Sequence, residues 1–340
     1  MDVARIRRIA VVGAGLMGHG IAQEFAQAGY PVGLHDLEEA TLDRALGNIQ
    51  ANLTRLASMD WFDGNRTGEV IARIAPTTRL EEVLEGTDLV IEAVFEDLEL
   101  KRSLLREIER CTGEATILAS NSSSFVPSRL AEVLRHPERM LVAHYFNPPY
   151  LIPLVEVVPG PATASPIVRT IMAVLEAMGK RPVLLTREAT GYVGNRLQFA
   201  LFREALAIVE QGIADPEAVD DVVRFGFGRR LAAAGPFEIF DLAGLDTILA
   251  VAEQILPAIA ADREAMDSRL LRERVERGEL GVKTGRGFRD WSDEAVQSLR
   301  DRLTRALLAR EPCFQPPLAQ AETSVSESLD DRGQCRSGQP

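Results

Sequence analysis

Ile9-Ala10-Val11-Val12-Gly13-Ala14-Gly15-Leu16-Met17-Gly18 decides how the rest of this 340-residue chain is read. A short apolar run reads as a buried strand, a G-x-G-x-x-G turn follows at once, and an apolar-periodic stretch runs on to Gln27. The glycine pattern is weak evidence alone and strong between a strand and a helix. Gly13 permits the tight turn, Gly15 lets a pyrophosphate approach the backbone, and Gly18 lets the helix pack on the strand. Free amides at the helix N-terminus favour phosphate. The next apolar run, Val32 to His35, ends at Asp36. A carboxylate there accepts from ribose hydroxyls and repels a 2′-phosphate. The residue after it is Leu37, with no arginine to welcome that phosphate. NAD is therefore the expected cofactor, with Gly13, Gly15, Leu16, Met17 and Gly18 around its pyrophosphate and Asp36 on its ribose. Flavin shares the fingerprint but lacks an evident second region for its ring system.

Working outward, short apolar runs alternate with helical patterns over the first 190 residues or so. Strands are expected at Leu89–Ala93, Thr116–Ala119, Met140–Ala143, Leu154–Val158 and Val183–Leu185. Helices are expected at Leu16–Gln27, Leu98–Glu109 and Pro166–Met178, the last capped by Ser165 with Pro166 in first position. Strands alternating with helices make a doubly wound, mostly parallel sheet. The pattern changes at Glu188-Ala189-Thr190-Gly191, after which Tyr192–Gln211, Pro216–Phe225, Pro236–Leu256, Ser268–Arg277 and a stretch from Ser292 to about Ala309 all read as helices. The expected fold is α/β, a Rossmann-type sheet over residues 1–189 followed by an all-helical domain over 190–310. Residues 311–340, rich in Pro, Gln, Ser, Glu and Asp, read as a disordered tail.

Composition narrows the function. A net charge of -12 argues against nucleic acid or an anionic membrane surface as partner. No apolar run reaches the roughly 18 residues of a membrane span. The apolar part of the N-terminus is too short for a signal peptide. Cys111, Cys313 and Cys335 are odd in number and scattered, which fits a reducing cytoplasm. His19, His35, His136 and His144 show no ligand spacing, so no metal is expected.

The chemistry lies further along, in Ala143-His144-Tyr145-Phe146-Asn147-Pro148-Pro149-Tyr150 and Leu154-Val155-Glu156-Val157-Val158. A histidine closes one apolar run and a lone glutamate sits inside the next. Burying either charge alone is costly, so such a pair reads as a proton acceptor with its orienting carboxylate.

Taken together, Gly13-x-Gly15-x-x-Gly18 with Asp36, Ser120-Asn121-Ser122-Ser123-Ser124, His144-x-x-Asn147-Pro148, Leu154-Val155-Glu156, Gly191-Tyr192-Val193-Gly194-Asn195-Arg196 and Lys283-Thr284-Gly285-x-Gly287-Phe288 resemble the short-chain L-3-hydroxyacyl-CoA dehydrogenase family. The Asn147-to-Leu154 wording is most similar to its lambda-crystallin/L-gulonate 3-dehydrogenase branch. The resemblance implies that His144 takes the proton from a C3 hydroxyl while hydride leaves for the nicotinamide, and that Glu156 orients the imidazole. It implies substrate contacts from Ser123 and Asn195. It implies cofactor contacts from Glu96, Lys101, Asn121 and Lys283, with a helix start and a solvated lysine as the plainer readings of Lys101 and Lys283. A serine run after a strand also offers helix caps, so the serine role could fall one position away.

One departure bears on the substrate. Coenzyme A-using members tend to carry a serine and a lysine-rich turn after the second strand. Here Asn52 and Met59 stand roughly at those places, Arg55 is the one nearby base, and Asp60 and Asp63 add negative charge. The expectation is an NAD-dependent dehydrogenase of an L-3-hydroxy acid or its CoA thioester, leaning to a free acid such as L-gulonate or carnitine. A strict short-chain 3-hydroxyacyl-CoA dehydrogenase of fatty-acid metabolism is the alternative, and a crystallin-like structural NAD-binding protein is the alternative of another class. The resemblance further implies a homodimer through the helical domain, with the active site in the cleft between domains.

Overall fold

The structure is a computed structural model, and it describes residues 6–231, 234–259 and scattered positions between 273 and 301. The chain folds as two compact units that part between Tyr192 and Val193. Lys283, the residues from 311 on and most of the expected helix Ser268–Arg277 lie outside the described residues.

The first unit is built on eight strands: β1 (Ile9–Val12), β2 (Val32–His35), β3 (Ile74–Thr77), β4 (Leu89–Glu92), β5 (Ile117–Ser120), β6 (Met140–Tyr145), β7 (Leu154–Pro159) and β8 (Arg181–Leu184). They form one sheet in the order β3-β2-β1-β4-β5-β6-β7-β8, parallel throughout except between β6 and β7. The chain winds outward from β1 to β3, returns to β4 beside β1, and winds the other way. That reversal opens a crevice beyond the carboxyl ends of β1 and β4, where ligands of such sheets bind.

Strands β1, β2, β4, β5 and β6 are buried along their whole length, as expected of strands covered on both faces. The helices of this unit are α1 (Gly18–Gln27), α2 (Glu39–Ala57), α3 (Thr67–Ala72), α4 (Leu80–Leu84), α5 (Leu98–Cys111), α6 (Pro127–Ala131) and α7 (Ser165–Ala177). Two apolar cores result, one containing Ile9, Val11, Ile21, Phe25 and Val155, the other containing Ala10, Val12, Val90, Leu105 and Tyr192.

Several elements of this unit differ from expectation. β3, where no strand was expected, contains Pro76, which removes a ladder donor; its place at the sheet edge tolerates the loss. β6 runs two residues past Ala143 and so includes His144. Ser165 is the first helical residue of α7, with Ala164 at the cap. Tyr192 does not start a helix: it has φ 50, directly after Gly191 at φ 75, and its side chain is buried in the second core.

The second unit holds α8 (Gly194–Glu210), α9 (Pro216–Phe225), α10 (Gly228–Leu231), α11 (Pro236–Ala243) and α12 (Leu245–Ile259). The Asp215 carboxylate caps α9 by accepting from the Ala218 amide at 2.8 Å. The expected single helix Pro236–Leu256 is two helices, because Gly244 between them takes φ 89. No helix among the described residues is long and apolar enough to cross a membrane.

Candidate active site

The glycine turn lies at the carboxyl end of β1. Gly13 has φ 100, and a Cβ there would stand 2.6 Å from the Ala93 carbonyl oxygen. A Cβ on Gly18 would stand 1.7 Å from the Gly13 carbonyl oxygen, so only glycine lets α1 start this close to the turn. Around Gly15 the space a Cβ would enter is open. The α1 N-terminus has no capping side chain and no acidic residue in its first turn, so its amides remain available to an anion. The Asp36 carboxylate, at the end of β2, accepts from the Ala14 amide at 2.8 Å and so sits against the same turn. An open, uncapped helix N-terminus with a carboxylate beside it fits a dinucleotide. Leu16 is exposed and Met17 is half-buried at the same place.

On the other side of β1 from β2, β4 ends in Glu92. This carboxylate is fully buried and accepts from the Lys101 ammonium at 2.7 Å, the Ser120 hydroxyl at 2.5 Å and the Val94 amide at 2.8 Å. Lys101, on the first turns of α5 and 1% exposed, also donates to the Val94 carbonyl at 3.1 Å and pairs with Glu96 at 3.3 Å. Glu96 accepts from the serine turn that follows β5. Burial pushes its carboxyl up, but the Ser122 and Ser124 hydroxyls, the Lys101 charge and the Ser124 amide together hold it below the usual range. Asn121 is buried, and its side-chain oxygen accepts from the Tyr145 amide at 2.9 Å.

His144 and Glu156 face each other as register partners on antiparallel β6 and β7. Both are buried, and His144 Nδ1 lies 2.9 Å from Glu156 Oε2. A carboxylate accepts only, so Nδ1 carries a hydrogen, and in the neutral ring Nε2 then presents its lone pair. Ser123 Oγ is 3.1 Å from that Nε2. The structure thus brings Ser123, rather than a neighbouring serine, to the histidine. The Tyr192 ring is 5.2 Å from the imidazole and the Phe146 ring 4.9 Å, which screens the base from water. The Tyr192 hydroxyl donates to the Phe125 carbonyl at 2.8 Å; burial first, then the Glu96 and Glu156 charges, push its pKa up, so it stays a donor.

Asn195 lies on the first turn of α8 in the second unit. Glu92 and Tyr192 were not expected at the site. Glu92 carried the same signal as Glu156, a lone carboxylate within an apolar run. Among the described residues no three His, Cys, Asp or Glu converge as a metal would need.

A family model for the NAD-binding domain of 3-hydroxyacyl-CoA dehydrogenases matches residues 8–189, and the model for their C-terminal domain matches residues 191–291. The chain is 34% identical over 304 residues to 5-formyl-3-hydroxy-2-methylpyridine 4-carboxylate 5-dehydrogenase of Mesorhizobium japonicum, covering 89% of this chain and 97% of the relative. A crystal structure of a dehydrogenase of that name, an NAD+-dependent dismutase, superposes with a TM-score of 0.81 at 32% identity, over 89% of this chain and 97% of the other. A probable 3-hydroxybutyryl-CoA dehydrogenase of Bacillus subtilis is 36% identical over 289 residues, 85% of this chain and 99% of the relative. The lambda-crystallin homolog of Bos taurus is 40% identical over 235 residues, 69% of this chain and 73% of the relative.

Proposed function

This chain belongs to the 3-hydroxyacyl-CoA dehydrogenase family and is an NAD-dependent oxidoreductase, and on that premise we propose that it oxidises the 3-hydroxyl of a free L-3-hydroxy acid of the gulonate or carnitine kind. The observation that carries the chemistry is the buried His144–Glu156 pair with Ser123 on its open nitrogen. Bound NAD supplies the hydride acceptor. His144 Nε2 takes the substrate hydroxyl proton, and Glu156 offsets the positive charge this creates on the ring. Such a base contributes about 10²–10⁴-fold in rate. Ser123 hydrogen-bonds the substrate oxygen, and Asn195 is assigned a second hydrogen bond to substrate. Gly13, Gly15, Leu16, Met17 and Gly18 hold the pyrophosphate and Asp36 the ribose, with Glu96, Lys101, Asn121 and Lys283 assigned to the nicotinamide half.

The end of α2 and the turn after it support the free acid. The Asn52 side chain donates to Gln23 at 3.0 Å, tying α2 to α1. Met59 packs with Leu56, Trp61, Phe62, Tyr150 and Leu151 in a small apolar cluster. Side chains where coenzyme A-using relatives tend to present a serine and lysines are here engaged in packing, and a polyphosphate gains little from apolar side chains. A second reading, an aldehyde-bearing aromatic acid, is favoured by the likeness to the pyridine carboxylate dehydrogenase, which covers 97% of that relative.

The experiment is NADH formation against L-gulonate, carnitine, 3-hydroxybutyrate, 3-hydroxybutyryl-CoA and a pyridine carbaldehyde acid. A free 3-hydroxy acid is expected to exceed the thioester at least tenfold in kcat/KM; a thioester preference overturns the substrate assignment. A homodimer through the helical unit is part of the same reading. It is supported by exposed Leu197, Phe199, Leu201 and Phe202 on α8 and Leu249 and Leu256 on α12, a surface larger than scattered single residues. Sedimentation at the monomer mass would overturn it. The scattered cysteines support a cytoplasmic setting.

A further inference from the structure

We propose that Glu96 is a positioning residue that sets the Ser123 hydroxyl against His144, clamping the serine turn while the buried Glu92–Lys101 pair holds the clamp from behind. One oxygen of Glu96 accepts from four donors on three consecutive residues: the Ser122 hydroxyl at 2.6 Å, the Ser124 hydroxyl at 2.7 Å, the Ser124 amide at 2.8 Å and the Ser123 amide at 3.0 Å. Bonds to a carboxylate are roughly twice as strong as neutral ones. Four of them on one atom fix the direction in which the turn presents Ser123. The Ser122 hydroxyl also accepts from the Phe125 amide at 2.9 Å, which closes the turn on its far side.

The other Glu96 oxygen faces Lys101 at 3.3 Å. The Lys101 ammonium donates to Glu92 and to the Val94 carbonyl and forms an ion pair with Glu96. Glu92 in turn holds Ser120, whose hydroxyl accepts from the Ser122 amide at 3.1 Å. Both ends of the serine turn are therefore tied to one buried charge cluster at the end of β4. The chain of contacts runs Glu92, Lys101, Glu96, Ser123, His144, Glu156 without a gap. It gives Glu96 a task within the protein that a contact to the cofactor would not require.

The inference rests on the proposed reading of Ser123 and His144 as the partners of the substrate hydroxyl. It is tested with Glu96→Gln, Ser123→Ala and the double variant, with kcat/KM at saturating NAD and the NADH Kd from fluorescence titration. Because misplacing a reacting group by about 1 Å costs about a hundredfold, Glu96→Gln is expected to lose about ten- to a hundredfold in kcat/KM. In the Ser123→Ala background the same change costs less than about threefold, since coupled residues are not additive. Because Glu96 is also assigned to the nicotinamide half, the NADH Kd is expected to rise as well, and the clamp is read from the loss at saturating NAD that Ser123→Ala suppresses, a split that general destabilisation would not produce. Equal losses in both backgrounds overturn the clamp and leave the site reading intact. So does a loss of NADH affinity that accounts for the whole effect. A Ser123→Ala variant that turns over like the parent overturns the site reading itself. Ser124→Ala, which deletes one clamp hydroxyl, repeats the cycle with a milder change: several-fold loss, suppressed by Ser123→Ala, is expected, and additive losses overturn the clamp there too.

Discussion

Removing the charge of Glu92 while keeping its shape, as Glu92→Gln does, tests how much of the first unit rests on that carboxylate. Glu92 and Lys101 side chains are each 1% exposed and 2.7 Å apart. At an effective dielectric of about 20, unit charges at that distance attract by about 6 kcal/mol. Desolvation of the two ions cancels much of this in the intact pair, but deleting one partner leaves the other's penalty standing, at about 3–5 kcal/mol. The low end applies here, because Glu96 still faces the ammonium at 3.3 Å and the new amide oxygen can accept from it. The expected loss is about 3 kcal/mol, or about 6–12 °C in melting temperature for a unit of this size. Trp61 reports the first unit alone once Trp291 is replaced by Phe, since the chain has two tryptophans. Urea unfolding followed by Trp61 emission gives the stability of each variant. Lys101→Met should cost a similar amount, and the double variant should return to within about 1–2 kcal/mol of the parent, a coupling that only a shared interaction produces. Strictly additive losses, or an unchanged midpoint for Glu92→Gln, would refute the reasoning.

Three further outcomes follow from the geometry. Glu156→Gln keeps the shape of the orienting side chain and removes its charge, so kcat should fall by about 10²–10⁴-fold with NADH affinity unchanged; turnover near the parent's would remove Glu156 from the mechanism. Gly18→Ala puts a Cβ 1.7 Å from a backbone oxygen, which no rotamer relieves, so fluorescence titration should show NADH affinity falling at least about tenfold; an unchanged Kd contradicts the close packing. His19 and His35 have pKa values lowered from 6.5, chiefly by burial. The unfolded chain therefore binds more protons as pH falls through 6.5, and stability declines below that point by up to about 2.7 kcal/mol per pH unit, while the effect is absent above it. His35→Gln should make the slope in urea titrations below pH 6.5 shallower, and an unaltered slope would clear His35 of the role.

Much of the nucleotide half was legible because its signals are local. A β-branched run, three glycines and a carboxylate at the next strand end each follow from one element's own needs. β3 was hidden because Pro76, harmless at a sheet edge, reads as a strand breaker where no edge is known. Tyr192 was read as helical since its sequence suits a helix; only the burial of its ring beside His144 makes a left-handed backbone worthwhile there. The ranges of β6 and β7 allowed His144 and Glu156 to be neighbours, but strand register depends on long-range pairing and is not written in either segment. Glu92 shows the reverse case. Its lone charge in an apolar run was a readable sign of a buried partner, and that partner, Lys101, lies nine residues on.

The direct opposition of His144 and Glu156 across β6 and β7 separates chemistry from selectivity in this molecule. On the proposed reading the two strands fix the acid–base couple, whereas the connection from Phe146 to Pro153 shapes its surroundings: the Phe146 ring lies against the imidazole, Tyr150 and Leu151 join the Met59 cluster, and the Pro149 and Ile152 carbonyls accept from Lys180. A shift by one residue would turn Glu156 to the opposite face and break the pair, whereas a side-chain change within the connection alters what surrounds the pair while the register stays. Directed evolution of this scaffold should accordingly leave the strand pairing and the length of the connection alone and vary the side chains along it.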